Sequence, residues 1–185
     1  INYVTWNKPE ENISLNWRRC SEVIPDDIDW VWFHGDDDFL TNDQVIKSLV
    51  NLIEQEVCLE TSLIHICQAR RSRNSGRIIK DNLFDLCNQL GYHEILGWMS
   101  SLVVRCDQFK VAIDFATAPV IEYPNPVDHI KFKISVYPHS AGLLRVCAND
   151  KALFVDEPWV EPQEEQQSEE SIARWAESFH GDRYF

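Results

Sequence analysis

Three consecutive aspartates follow a short apolar run near the start of the chain. Residues 30–33 read Trp-Val-Trp-Phe, a length that suits a buried strand and is too short for an ordinary helix. A histidine and a glycine follow, and then Asp36, Asp37 and Asp38. Adjacent carboxylates repel one another, so folding gathers them only if a cation or hydrogen-bond donors relieve the repulsion. Such oxygen ligands suit Mg²⁺ or Mn²⁺. The alternative is a solvated acidic turn in which Asp38 caps the next helix.

The elements that would position this turn alternate between helical and strand patterns. Apolar spacing predicts helices over residues 14–23 with Ser14 as the cap, 41–53, 83–90, 107–118 and 141–147. Strand patterns cover residues 30–33, 59–67, the run after the Gly97-Trp98 break, 130–137, and a final pair at 154–155 and 159–160. This alternation favours an α/β fold with a central, mostly parallel sheet flanked by helices. Ligands of such sheets bind beyond the carboxyl ends of the strands, where the aspartates would lie.

Composition narrows the class of protein. The 185 residues fit a single domain with a substantial core. A net charge of −13 argues against a nucleic-acid-binding surface, although a metal ion could still bridge the protein to an anionic ligand. Six scattered cysteines lack zinc or disulfide spacing, which predicts free thiols in a reducing cytosol. No leader or transmembrane stretch is visible, so we expect a soluble, cytoplasmic protein.

A basic segment interrupts this acidic chain. Residues 68–80 contain four arginines around an Asn-Ser-Gly sequence, namely Arg70, Arg71, Arg73 and Arg77. The segment is either a solvated surface loop or a clamp on phosphate, because guanidinium groups pair bidentately with phosphoryl oxygens.

The order of these motifs resembles glycosyltransferase family 2, the inverting enzymes with the GT-A fold, and in particular its bacterial polysaccharide-type members. A helix leads into the strand and acidic signature of residues 29–40. Three later segments look like the acceptor half of the family, namely residues 97–105, 137–140 and 158–160. The last segment, residues 171–175, is similar to the QxxRW motif with serine in place of glutamine. The resemblance divides the single domain into a nucleotide-sugar half (1–60), an acceptor half (61–160) and an acidic tail (161–185). The family's first βα units, which hold the nucleotide base, have no counterpart here. Because the strand-like residues 1–4 lack an initiator methionine, we expect the natural chain to begin earlier.

The resemblance implies a metal-assisted transfer of a sugar, with inversion, from a nucleotide-diphosphate sugar such as a UDP-sugar to a saccharide or lipid-linked acceptor. It assigns Mg²⁺ or Mn²⁺ to Asp37 and Asp38 and the ribose or sugar to Asp36. Arg174 and Trp175 would contact the diphosphate or cover the acceptor site. A lipid-linked acceptor implies peripheral association with the inner face of the membrane.

The general base and the acceptor contact have several candidates. His139 stands where the resemblance puts the family's catalytic aspartate, and a neutral imidazole could accept the acceptor's proton. Its alternative role is a surface residue at the start of a helix. Asp114 and Asp128 are the fallback bases. Trp98 could stack on a sugar ring or belong to the core.

Two other functions remain open. One is a truncated or degenerate relative that acts as a non-catalytic binding module. The other is a metal-dependent phosphohydrolase or nucleotidyltransferase, which would need a second acidic cluster at a strand end, and no other cluster in the sequence is as clear.

Overall fold

The computed structural model describes residues 12–35, 37–55, 59–73, 75–123 and 137–162, together with Asn7 and Asn125. Within these ranges the chain forms six α-helices, six strands and a 3₁₀ turn at Met99–Ser101. The helices are α1 (Ile13–Glu22), α2 (Val45–Ile53), α3 (Leu83–Leu90), α4 (Tyr92–Leu96), α5 (Cys106–Glu122) and α6 (Pro138–Cys147). The strands are β1 (Trp30–Trp32), β2 (Asp38–Leu40), β3 (Thr61–Gln68), β4 (Ile78–Asn82), β5 (Leu102–Arg105) and β6 (Lys151–Pro162).

The sheet is mixed, which corrects the prediction of a mostly parallel sheet. Its strand order is β1-β5-β3-β6-β2, and β4 also pairs with β6. Among the described strands only β3 and β6 pair in parallel, whereas the other four pairings are antiparallel. The segments that connect the strands explain these directions. Strand β4 returns antiparallel beside β6, helices α3 and α4 carry the chain back across the sheet, and β5 then starts from the edge where β3 ends.

Most predicted elements are present, with shifted boundaries. Helix α1 is capped by Asn12 rather than by Ser14, because the Asn12 side chain accepts the amide hydrogens of Ser14 at 2.9 Å and Leu15 at 3.2 Å. Strands β2 and β4 were not predicted. The expected final pair of strands is one strand, β6. The strand predicted over residues 130–137 lies almost wholly outside the described residues.

Strand β6 is interrupted by a bulge that lets two short strands share one of its sides. Its residue Val155 pairs with Ile66 of β3, yet Val160 already pairs with Gln68, so residues 156–159 loop out of the β3 ladder. On the other side of β6, β4 pairs with residues 151–155 and β2 with residues 160–162. The connection from β3 to β4 therefore crosses β6 at this bulge.

Two apolar clusters pack against the sheet. The larger includes Trp17, Phe109 and Leu143, so it joins α1, α5 and α6 to one face. Gly142 permits the close approach of α6 to α5, since a Cβ atom there would lie 2.2 Å from the carbonyl oxygen of Ala112. The smaller cluster includes Leu49 and Leu52 of α2 on the strands.

Five cysteines are free thiols, as predicted, namely Cys20, Cys67, Cys87, Cys106 and Cys147. Burial raises the pKa of the Cys147 thiol to about 12, so this group stays protonated and unreactive at neutral pH. Cys58 lies outside the described residues. None of the described helices combines the length and the apolar character needed to cross a bilayer.

Candidate functional site

The acidic turn lies at the carboxyl end of β1, as the sequence predicted. The chain leaves β1 at Trp32, turns at Gly35 and enters β2 at Asp38. The amide of Asp38 donates to the carbonyl of Gly35 at 3.3 Å, which closes the turn. Asp37 is exposed and Asp38 is half-buried, whereas Asp36 lies outside the described residues. The predicted capping of α2 by Asp38 is wrong, because this residue belongs to β2.

The carboxylates of Asp37 and Asp38 converge on the same small volume beside Gly35. A Cβ atom built on Gly35 would lie 2.7 Å from Asp37 Oδ1 and 2.7 Å from Asp38 Oδ2. The two oxygens are therefore close to each other and to the backbone. A Cβ atom at position 35 would therefore displace the carboxylates from this arrangement.

Ser100 fixes the geometry of this turn. Its hydroxyl donates to Asp38 Oδ2 and accepts the Gly35 amide hydrogen at 2.8 Å. Its carbonyl oxygen accepts the indole N–H of Trp32 at 2.9 Å. Ser100 is fully buried, so these bonds are shielded from water. This residue was not predicted from the sequence, although it lies only two positions after Trp98.

The turn offers part of a coordination sphere for a hard cation. In the described part of the chain, no group of three or more His, Cys, Asp or Glu side chains is arranged to hold a metal. Two carboxylates nevertheless suit Mg²⁺ or Mn²⁺, which commonly take one or two protein carboxylates and complete their shell with waters and substrate phosphates. The hydroxyl of Ser100 orients Asp38 as second-sphere donors do in metal sites. The residues present therefore fit a metal that is shared with a phosphorylated ligand.

No known protein family, curated protein or solved structure matches this chain. The resemblance to family 2 glycosyltransferases consequently stays a prediction, and the functional inference rests on the geometry of the chain itself.

Trp98 lies close to the acidic turn. It precedes the 3₁₀ turn that contains Ser100, and its carbonyl accepts the Ser101 amide hydrogen at 3.2 Å. The indole is half-buried and packs, with Trp30 and Trp32, against the smaller apolar cluster. Its role in packing is therefore confirmed, and its contact with a sugar stays a prediction.

His139 lies inside the larger cluster instead of on the surface. Only 6% of the residue is exposed, and its ring stacks on Trp17 with centroids 5.0 Å apart. Burial lowers the pKa of His139 to about 4, and the carbonyl of Leu96 offsets only part of this shift. Neither ring nitrogen forms a hydrogen bond of good geometry with the residues that the structure describes. The alternative role as a surface residue is therefore wrong.

The remaining predicted residues are not brought to the turn by any described contact. Asp114 projects from α5 with 67% of its side chain exposed and pairs with Arg18 of α1 at 3.5 Å. Asp128, Arg174 and Trp175 lie outside the described residues.

The basic segment leaves the sheet at the same edge as the acidic turn. Val160 of β6 pairs with Gln68 at the end of β3 and, on its other side, with Leu40 of β2. Because neighbouring strands lie about 4.8 Å apart, the start of the basic segment is about 10 Å from the strand that follows the acidic turn.

Asp156, in the bulge of β6, holds the basic loop of residues 69–77. Its carboxylate accepts the Ser72 hydroxyl at 2.8 Å, the Arg73 amide hydrogen at 2.9 Å and the hydroxyl of Ser75. Its own amide donates to the Arg77 carbonyl at 2.9 Å. The bond from Ser75, with help from the others, lowers the pKa of Asp156. The loop is thus tied to the sheet by a buried carboxylate.

Proposed function

We propose that the chain transfers a sugar, with inversion, from a nucleotide-diphosphate sugar to a hydroxyl of a saccharide or lipid-linked acceptor. The observation that carries the proposal is the convergence of the Asp37 and Asp38 carboxylates around Gly35 at the carboxyl end of a sheet strand. Strands β1, β3 and β6 run in the same direction and end at this edge of the sheet, which is the arrangement beyond which parallel α/β sheets bind ligands. Paired carboxylates there suit a divalent metal and a diphosphate. A cytoplasmic location at the inner face of the membrane belongs to the same proposal.

Each residue of the turn has a distinct part in this proposal. Bound Mg²⁺ or Mn²⁺ would stabilise the negative charge that develops on the leaving diphosphate. The exposed Asp37 would be one ligand of the metal and Asp38, whose carboxylate is oriented by Ser100, would be the other. Asp36 would face the ribose or sugar, and Arg174 and Trp175 would approach the diphosphate. The indole of Trp98 would contact the acceptor.

His139 is the proposed general base. With a pKa of about 4 the imidazole is neutral at physiological pH, which is the form that accepts a proton. Both ring nitrogens lack a well-formed hydrogen bond to the described residues, but both are buried, so this role requires a local opening around His139 that admits the acceptor's hydroxyl. Asp114 is the fallback, although the structure pairs it with Arg18 of α1 at 3.5 Å.

A non-catalytic binding module is the second candidate. It is favoured by the burial of His139 against Trp17, because solvent does not reach the ring nitrogens of this candidate base. Such a module would bind the nucleotide and metal without turnover.

Calorimetric titration of UDP-sugars in the presence of Mn²⁺ tests the donor site. The unmodified protein should bind in a metal-dependent manner, and Asp37→Asn should bind at least tenfold more weakly because a metal ligand is lost, at roughly 1.4 kcal/mol per tenfold change. Asp27→Asn is the matched control, since Asp27 is an exposed aspartate on the opposite, amino-terminal side of β1. Binding that is independent of metal, or equal in the two variants, would refute the donor site.

Substitution of the base separates the transferase from the binding module. His139→Gln should abolish sugar transfer and leave donor binding unchanged, whereas Asp114→Asn should leave both sugar transfer and donor binding unchanged. Normal turnover in His139→Gln would remove this residue from the reaction. Tight donor binding without turnover in the unmodified protein, across a panel of acceptors, would favour the binding module.

A further inference from the structure

Two arginines of the basic loop have no ion-pair partner in the part of the chain that the structure describes. Arg71 forms an ion pair with Glu94 at 2.5 Å. Arg73 and Arg77 are exposed, and no described carboxylate lies within ion-pair distance of either guanidinium. In a chain with a net charge of −13, unpaired arginines close to a carboxylate are unusual, because that carboxylate would ordinarily pair with them.

The carboxylate close to these arginines is that of Asp156, and it accepts hydrogen bonds from other groups. Two serine hydroxyls and one backbone amide satisfy it, so it shapes the loop without neutralising the arginines. Gly76 contributes to the same shape, since its φ of +64° is a conformation that favours glycine. The loop is therefore held in a shape that leaves the Arg73 and Arg77 side chains exposed.

We propose that Arg73 and Arg77 form a phosphate-binding subsite at the edge of the sheet that carries the acidic turn. The charges support this assignment. A divalent cation would be balanced by the Asp37 and Asp38 carboxylates, so the negative charge of a bound phosphate group would remain uncompensated without a second cationic element. Two guanidinium groups supply that charge and can bind phosphoryl oxygens bidentately.

The phosphate has two possible sources, both of which rest on the proposed function. It is either the diphosphate of the sugar donor or the phosphate of a lipid-linked acceptor. The chemistry of recognition is the same, and the experiments below distinguish the sources.

Metal-free pyrophosphate is the first probe, because without a cation the acidic turn repels it. In the presence of EDTA, calorimetry should detect binding to the unmodified protein and about tenfold weaker binding to the Arg73→Gln/Arg77→Gln double variant, the loss of roughly 1.4 kcal/mol of interaction. Arg145→Gln, on α6, removes an exposed arginine elsewhere and should bind normally. Asp37→Asn should retain metal-free binding even though it loses metal-dependent donor binding, so failure of the subsite and failure of the donor site are distinguishable. Absent binding, or equal binding by the double variant, would overturn the subsite.

Asp156 acts as a positioning residue, and a pair of variants tests this role by the sign of their effects. Removal of a negative charge near the loop should strengthen anion binding if only Coulomb attraction matters. Glu157→Gln should do so, because the Glu157 carboxylate lies near Gly76 and makes no described hydrogen bond to the loop. Asp156→Asn should instead weaken pyrophosphate binding severalfold, because an amide cannot accept all three loop donors in the same geometry. Tighter binding in both variants would exclude the positioning role.

Two further titrations identify the source of the phosphate. If the donor supplies it, the double variant should weaken metal-dependent binding of a UDP-sugar. If the acceptor supplies it, the double variant should bind that donor normally and lose binding to phosphatidylcholine vesicles that contain phosphatidic acid. A double variant that behaves as the unmodified protein in both titrations would contradict the subsite.

Discussion

Replacement of Ser100 by alanine should separate the geometry of the acidic turn from its charge. The substitution removes two hydrogen bonds of the fully buried Ser100 hydroxyl. One is donated to the Asp38 carboxylate, and the other is accepted from the Gly35 amide at 2.8 Å. A hydrogen bond to a charged group contributes about 1.5–3 kcal/mol and a neutral one about 1 kcal/mol. The free energy of unfolding in urea should therefore fall by about 2–4 kcal/mol. Affinity for Mn²⁺ should fall about ten- to a hundredfold, as it does when the donors behind metal ligands are removed.

Ser101 provides a control of the same chemistry at the next position. It is also fully buried, yet its hydroxyl has no hydrogen-bond partner among the described residues. Ser101→Ala should leave the free energy of unfolding unchanged or raise it slightly, because an unsatisfied buried hydroxyl is removed. Equal losses of stability in the two variants, or unchanged Mn²⁺ affinity in Ser100→Ala, would refute the assigned role of Ser100.

Three other predictions follow from single contacts. Gly35→Ala should weaken Mn²⁺ binding in calorimetry, because its Cβ atom would force apart two carboxylate oxygens that lie 2.7 Å from it. Gly142→Ala should lower the free energy of unfolding in urea by about 1–3 kcal/mol, since the new methyl group would meet the Ala112 carbonyl oxygen and separate α5 from α6. Stability should also fall as the pH is lowered from about 6.5 to about 4. Over this range His65 and His139 stay neutral in the folded protein, with pKa values of about 4, whereas they bind protons in the unfolded chain. His139→Phe should reduce this pH dependence in urea titrations, and an unchanged slope would contradict the assignment.

The sequence predicted the parts of the fold that depend on local pattern. The strand over Trp30–Trp32 and the glycine end of α3 followed from apolar spacing and turn chemistry, and Gly91 indeed has a positive φ of 103°. The placement of the acidic turn at the carboxyl end of a strand followed from the same pattern. The direction of each strand could not be predicted from this pattern, because alternation of helices and strands does not determine from which edge each strand enters the sheet.

The contacts that shape the site join distant parts of the chain, which explains why they were missed. Ser100 reaches Asp38 across 62 positions, and Asp156 reaches Ser72 across 84. A single serine or aspartate carries no sequence signal of such a partner. Strand β2 was missed for a related reason, since its three residues become a strand only by pairing with β6.

The position of β6 in the chain sets the order in which these parts can be assembled during synthesis. Among the described strands, β2 and β4 hydrogen-bond to no strand except β6. Both are made before it, so the strand after the acidic turn and the strand after the basic loop have no ladder partner until residues 151–162 emerge from the ribosome. The first strands to pair, β1, β5 and β3, would form a three-stranded intermediate in which β3 is exposed as a second edge strand beside β1. A nascent chain stalled before residue 151 should therefore have a folded helical layer and an unformed ligand site, and it should be more prone to aggregation than the released protein.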